Sequence, residues 1–163
     1  MAMHSQVTDP RDIEDMRLAW LYRTWRAAGS DNTPPSRSFV DPLALAPLLG
    51  SIVLFDVVGS PWRFRYRLMG TDIADHLGFD LTGKWLEDHP VAAHRDAIGA
   101  LLSKVVETRQ GWQARAERII AGGSWPTHAL ALPLVGPDEA IDCVIAAQLF
   151  GPETPWGHTR HRR

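Results

Sequence analysis

Residues 62–69 alternate strictly, with Trp62, Phe64, Tyr66 and Leu68 on one side and Arg63, Arg65 and Arg67 on the other. A period of two predicts a strand with one dry face and one charged face. Upstream, Ile52, Val53, Leu54, Phe55, Val57 and Val58 form a nearly continuous apolar run, the pattern of a strand buried on both sides. Gly59-Ser60-Pro61 separates the two runs, so they are expected to pair as an antiparallel hairpin. Downstream, Gly70 breaks the strand, Thr71 is placed to cap a short helix over 71–77, and Gly78 ends it. A longer helix, entered at Asp88-His89-Pro90 and reaching about Glu107, carries the stripe Val91, His94, Ile98, Leu101, Leu102 and Val105. Three more strands follow, over 112–120, 125–135 and 141–150, with turns at Gly122-Gly123 and at Gly136-Pro137-Asp138-Glu139. The last of them is apolar on both faces and is predicted to be central.

The first third of the chain is helical in pattern. Residues 1–8 are expected to be disordered, and Asp9-Pro10 supplies a cap and a first-turn proline for a helix over 10–28. Ile13, Met16, Leu18, Trp20, Leu21, Tyr22 and Trp25 cover well over half of its circumference, more than one packed face requires. Two explanations stay open: a helix clamped between its own domain and a second chain, or one packed on a wide irregular surface. Ser30–Ser38 is a loop by composition, and Asp41-Pro42 starts a short helix over 42–48 that Gly50 ends. The division is then a lead-in over 1–47, a domain over 48–150 and a flexible tail over 151–163. The fold class is α+β, a five-stranded antiparallel sheet with helices on one face, preceded by an amphipathic helix.

Composition narrows the function. With 163 residues, 45% apolar and 22% charged, the chain suits one soluble domain. A net charge of −2 leaves no electrostatic footprint for nucleic acid, the short basic stretch at 158–163 aside. Cys143 is the single cysteine, which precludes an internal disulfide and fits a reducing compartment. No secretory h-region and no apolar run of membrane-spanning length is present, so no membrane association and a cytoplasmic location are expected. Nucleotide loops, HExxH and GxSxG are missing.

The stretch YRLMGTDIADHLGFDLTGKW, the closing three-strand meander and the lead-in PSRSFVDPLALAPLLGSIVLFDV together resemble a PAS domain over roughly 48–150, and in particular a bacterial, stand-alone PAS-like subfamily. The resemblance implies a non-enzymatic sensory or protein-interaction module, a signalling regulator acting through a small ligand, dimer contacts or a separate signalling protein. It implies a cavity walled by Phe55, Leu68, Ile73, Leu77, Trp85, Ile98, Leu102, Leu132 and Ile145, with His94 and His128 as polar candidates. It also implies a homodimer through the N-terminal helix, with Ile13, Met16, Trp20, Leu21 and Trp25 as interface candidates.

No resident cofactor or metal is expected. Haem sensors of this family hold iron through a histidine on the helix that carries His94, but nothing else here marks a haem pocket. The Asn-Cys-Arg context of flavin-adduct photosensors is absent. His76 and His89 read as solvated surface, and the row Arg63, Arg65 and Arg67 as a charged strand edge able to pair with Glu14 and Asp15 of the N-terminal helix or to bind a phosphate-bearing ligand. The alternative is a small isomerase or dehydratase on a cone-shaped α+β fold, with His94 or His128 as base, and a weaker one is a haem sensor through His94.

Overall fold

The computed structural model describes residues 2–120, 122–151 and 154–155, without the side chains of 119, 120, 154 and 155. Six strands form one antiparallel sheet: β1 (Met3–Val7), β2 (Ile52–Val58), β3 (Arg63–Met69), β4 (Gly111–Ile120), β5 (Gly123–Val135) and β6 (Ile141–Phe150). Their spatial order is β1-β4-β5-β6-β2-β3, with a two-residue β7 (Thr154–Pro155) beside β5. The hairpin β2–β3 and the meander β4–β6 are therefore both present, and β6 is central as its two apolar faces require. Three α-helices accompany them, α1 (Met16–Ala28), α2 (Thr71–Leu77) and α3 (Ala92–Thr108). Among the described residues no helix is long and apolar enough to cross a membrane.

The pleat sorts side chains by size. Leu130, Leu132 and Leu134 of β5, Cys143, Ile145 and Leu149 of β6 and Leu54 of β2 point to one face and pack under Leu18, Leu21, Tyr22 and Trp25 of α1. The other face meets α2 and α3 through Val53, Phe55, Tyr66, Met69, Ile73, Leu102 and Val105. Helices thus cover both faces of the sheet, and the width of the apolar surface on α1 is taken up by its own sheet. Ile13, Leu21 and Trp25 are core residues, Trp20 packs partly against that core, and Met16 is left 85% exposed. Trp25 Nε1 donates to the Pro133 carbonyl at 2.9 Å, which fixes the helix on β5.

Three predictions at the N-terminal side need correction. The start of the chain is not disordered: β1 pairs in register with β4, from Met3 opposite Arg115 to Val7 opposite Gly111. The reason is that β4 offers an open edge and Val7 finds a fully buried place against α1. The helix over 10–28 is broken. Asp9 caps only a 3₁₀ turn at Pro10–Asp12, Ile13 turns extended into the core, and Asp15 caps α1 by accepting from the Arg17 and Leu18 amides. The short helix over 42–48 is a 3₁₀ segment at Ala46–Ser51. At α2 the cap position is Gly70, not Thr71, and a side chain there would press into the Gly50 backbone. The tail prediction lies outside the described residues, apart from Gly151 and the paired β7.

An ion cluster pins β3 and the lead-in loop to the sheet. Asp56, with its side chain 5% exposed, receives Arg37 at 3.0 Å, Arg65 at 2.9 Å and Arg67 at 3.5 Å. Arg37 also pairs with Asp142 at 3.4 Å. Arg63 stacks over Trp85 at 3.9 Å and pairs with Glu87 at 3.1 Å. So the arginine row meets Asp56 and Glu87, while Glu14 pairs with Arg115 and Asp15 with Arg17. The β3 edge itself is covered: Tyr66 N–H donates to the Lys84 carbonyl at 2.8 Å and Gly83 N–H to the Tyr66 carbonyl at 2.6 Å. Gly83 has φ +84°, which favours glycine.

Removing the carboxylate strands three half-exposed guanidinium groups around a buried position. Asp56→Asn is expected to cost about 2–3 kcal/mol, below the usual cost of breaking a fully buried pair because the arginines keep water. Urea unfolding at pH 7 measures it, and a change under about 0.5 kcal/mol, the range of an ordinary surface substitution, would show that the cluster does not hold the strand.

Candidate functional site

A cavity of about 60 Å³ lies between the sheet and the α2–α3 layer. Its floor is made of small residues on the cavity-facing parity of three strands: Ala114 and Ala116 on β4, Ala129 on β5 and Ala146 on β6. Bulkier Phe55, Tyr66 and Met69 close one side, and Ile73, Leu77, Ile98 and Leu102 form the roof. The space exists because alanines stand where the opposite face carries leucines and isoleucine. Ala2 and His4 of the N-terminal segment reach the rim. His4 Nδ1 lies 3.1 Å from Lys104 Nζ on α3, which ties β1 to the helix across that rim.

Of the predicted wall, Phe55, Ile73, Leu77, His94, Ile98 and Leu102 are brought together. Leu68 is not, and is 39% exposed. The β2–β3 register explains it: Phe55 faces Tyr66 but Leu54 faces Leu68, so Arg67 is an extra residue that reverses the phase of the strand. Met69 then takes the inward place that simple alternation denies it. Trp85 lies along the outer edge of β3 beneath Arg63. Leu132 and Ile145 face α1, as their parity dictates. His128 is also on that face, where its Nε2 meets Gln113 Oε1 at 2.9 Å. The five interface candidates sit on or just before α1, with Ile13, Leu21 and Trp25 buried within the chain.

The polar members of the lining are Tyr66, His89, His94, Arg118, Thr127, Gln148 and His4. His89, read as surface from sequence, is only 2% exposed, enclosed against the ring of Phe79. Its Nδ1 accepts from the Val91 amide at 3.1 Å, so the neutral ring carries its proton on Nε2. The His94 ring stands edge-to-face with it, centroids 5.6 Å apart. Burial, then the charge of Arg118, lowers both imidazoles to about 4, and they are neutral at pH 7. Tyr66 Oη is the one fully buried side-chain polar atom without a hydrogen-bond partner among the described residues. Burial raises its phenol above the ordinary value, so it is a donor, not a phenolate. Arg118, partly buried, forms no hydrogen bond or ion pair among the described residues, and burial lowers its otherwise high value.

The lining holds no carboxylate, and Cys143 is on the α1 face with its thiol pushed up to about 12 by burial. The two histidines proposed as bases for the cone-fold alternative lie on opposite faces of the sheet, and the hairpin, helical crossover and meander differ from that fold's order. The volume of about 60 Å³ is below the about 300–1,000 Å³ of pockets that enclose larger ligands, and Cys143 lies on the opposite face of the sheet. Among the described residues no cluster of His, Cys, Asp and Glu is placed to hold a metal ion.

A sequence model described as the PAS domain matches residues 13–144. Two solved structures share the fold. One is a light-oxygen-voltage domain whose mechanism was probed with a flavin analogue, at 11% identity and TM-score 0.51, covering 68% of this chain and 83% of that one. The other is an RNA-binding light-oxygen-voltage receptor, at 11% identity and TM-score 0.50, covering 92% of this chain and 38% of that longer one. No curated protein matches in sequence.

The buried histidines make stability depend on pH. Well above pH 6.5 they are neutral in both folded and unfolded chains. As pH falls from 6.5 towards 4 the unfolded chain takes up protons that the folded one refuses, so stability falls with pH across that window. The expected loss from pH 7 to pH 4 is at least about 3 kcal/mol, since a tenfold difference in proton affinity between the folded and unfolded chains corresponds to about 1.4 kcal/mol. Urea midpoints for the chain and for His89→Gln/His94→Gln check it. The double variant should show a clearly flatter profile, with His4 and His128, also lowered by burial, supplying the remaining slope. An unchanged slope would mean these rings are not the titrating groups.

Proposed function

The chain belongs to the PAS domain family, and from that premise we propose that it is a non-enzymatic signalling regulator that senses a small molecule in the cavity between the sheet and α2–α3. The supporting observation is the alanine-floored cavity lined by Tyr66, whose buried hydroxyl has no hydrogen-bond partner among the described residues. A buried donor left unpaired costs about 1–3 kcal/mol, and a bound ligand or water removes that cost.

Occupancy acts through the roof. α2 and α3 rest on the sheet through the same side chains that line the cavity, so a ligand that fills it favours one seating of the helices over another. The output passes to a separate signalling protein. The β3 side of the sheet offers a surface for it, with exposed Val58, Trp62 and Leu68 beside Arg63, Arg65 and Arg67.

Native mass spectrometry of the full chain tests the reading. The chain is expected to carry or take up a small molecule, released on denaturation. Ala146→Leu puts an isobutyl group into the floor and is expected to weaken that uptake at least tenfold, with circular dichroism unchanged and a stability cost of about 1–3 kcal/mol. An adduct that the variant retains with equal affinity would place the ligand elsewhere.

A further inference from the structure

The charge inside the cavity is one-sided. Arg118 brings a guanidinium to the lining, and no carboxylate accompanies it there. His89 and His94 of the lining are held neutral by burial, and Lys104 is not among the lining residues. Arg118 has no ion pair or hydrogen bond among the described residues, in a chain where Arg37, Arg65 and Arg67 all converge on one aspartate. A guanidinium that is partly withdrawn from water without a counter-charge is costly, and a carboxylate repairs that with two parallel hydrogen bonds.

Tyr66 supplies the second observation. It is 1% exposed, lines the same cavity and has an Oη with no hydrogen-bond partner among the described residues. Arg118 lines the same cavity. His89, with its proton on Nε2, adds a neutral donor in the lining. The other walls are hydrocarbon, from Phe55, Ile73, Leu102 and Ala146. A volume of about 60 Å³ limits the guest to a few heavy atoms unless the roof shifts.

We propose that the ligand is a compact monocarboxylate, with its carboxylate held by Arg118 and the Tyr66 hydroxyl and its short apolar body lying on the alanine floor under α2 and α3. This rests on the reading of the cavity as the ligand site. An anion is favoured over a neutral acceptor because only an anion offsets Arg118. Phosphate is disfavoured, because a dianion would meet one cation and apolar walls.

The test compares matched probes on the full chain by titration calorimetry and by amide shifts in NMR: isobutyrate against isobutyramide, propionate against propionamide, and inorganic phosphate. Each carboxylate is expected to bind at least tenfold more tightly than its amide, with shifts centred on Tyr66, Ala146 and α3. Arg118→Gln should bring acid and amide to within twofold. Tyr66→Phe should weaken the acids three- to tenfold while its melting temperature stays level or rises, because the lost hydroxyl has no hydrogen-bond partner among the described residues. Amides that bind as well as acids, phosphate that binds in their place, or a preference that survives Arg118→Gln would overturn the carboxylate assignment and leave the cavity as a ligand site. Shifts confined to the outer surface for every probe would overturn both.

Discussion

The fold turns on how one sheet divides large and small side chains between its two faces. Along β5 the even positions Leu130, Leu132 and Leu134 go to α1, while Ala129 and Ala131 go to α2 and α3. On β6, Cys143, Ile145 and Leu149 take the first side, and Ala146 the second. A sheet has two faces at a fixed period of two, so filling one with leucine while leaving the other to alanine makes one face a solid core and the other a hollow one. α1 completes the solid side. The cavity is the consequence on the other.

The same division explains what the amino-acid pattern disclosed. Strands β2 to β6, the hairpin, the helical crossover and the central place of β6 follow from periodicity and turn residues, because a strand's pattern is local. The cavity was legible only in part. The inward stripe of α3 identified His94, Ile98 and Leu102, and the strand Phe55, because large apolar residues announce themselves. The residues that create the space are alanines, which carry little signal unless their parity is compared across β4, β5 and β6. Leu132 and Ile145 looked like cavity wall for the opposite reason: they are large, but their parity sends them under α1.

Other misplacements came from events that no single strand records. The extra residue Arg67 in β3 depends on pairing with β2, so alternation alone put Leu68 inside and left out Met69. His89 sits in a polar-looking segment before α3, and its burial arises only when Phe79, α3 and the sheet close over it. Strand β1 has no sharp pattern, and it exists because β4 presents a free edge. Such contacts are non-local. Arg118 belongs with them: in sequence it is one charge on a mixed strand, and it becomes notable only once the fold brings it to the same cavity lining as Tyr66 without an acidic residue there.

The β3 bulge links the two halves of the structure. Arg65 is opposite Asp56 and Tyr66 opposite Phe55, so one short stretch sends a guanidinium to the ion cluster on one face and a phenol into the cavity on the other. Arg67, the inserted residue, also reaches Asp56, and the phase change that follows turns Met69 inward beside Tyr66. Tyr66 therefore sits on a strand whose neighbours on both sides are clamped to a buried carboxylate. The exposed side chains of Trp62 and Leu68 lie on the same strand segment, within reach of whatever binds that surface. That physical continuity, from a hydroxyl inside the cavity to an arginine-rich outer edge along one run of backbone, is what would let occupancy of a small space be felt on the surface.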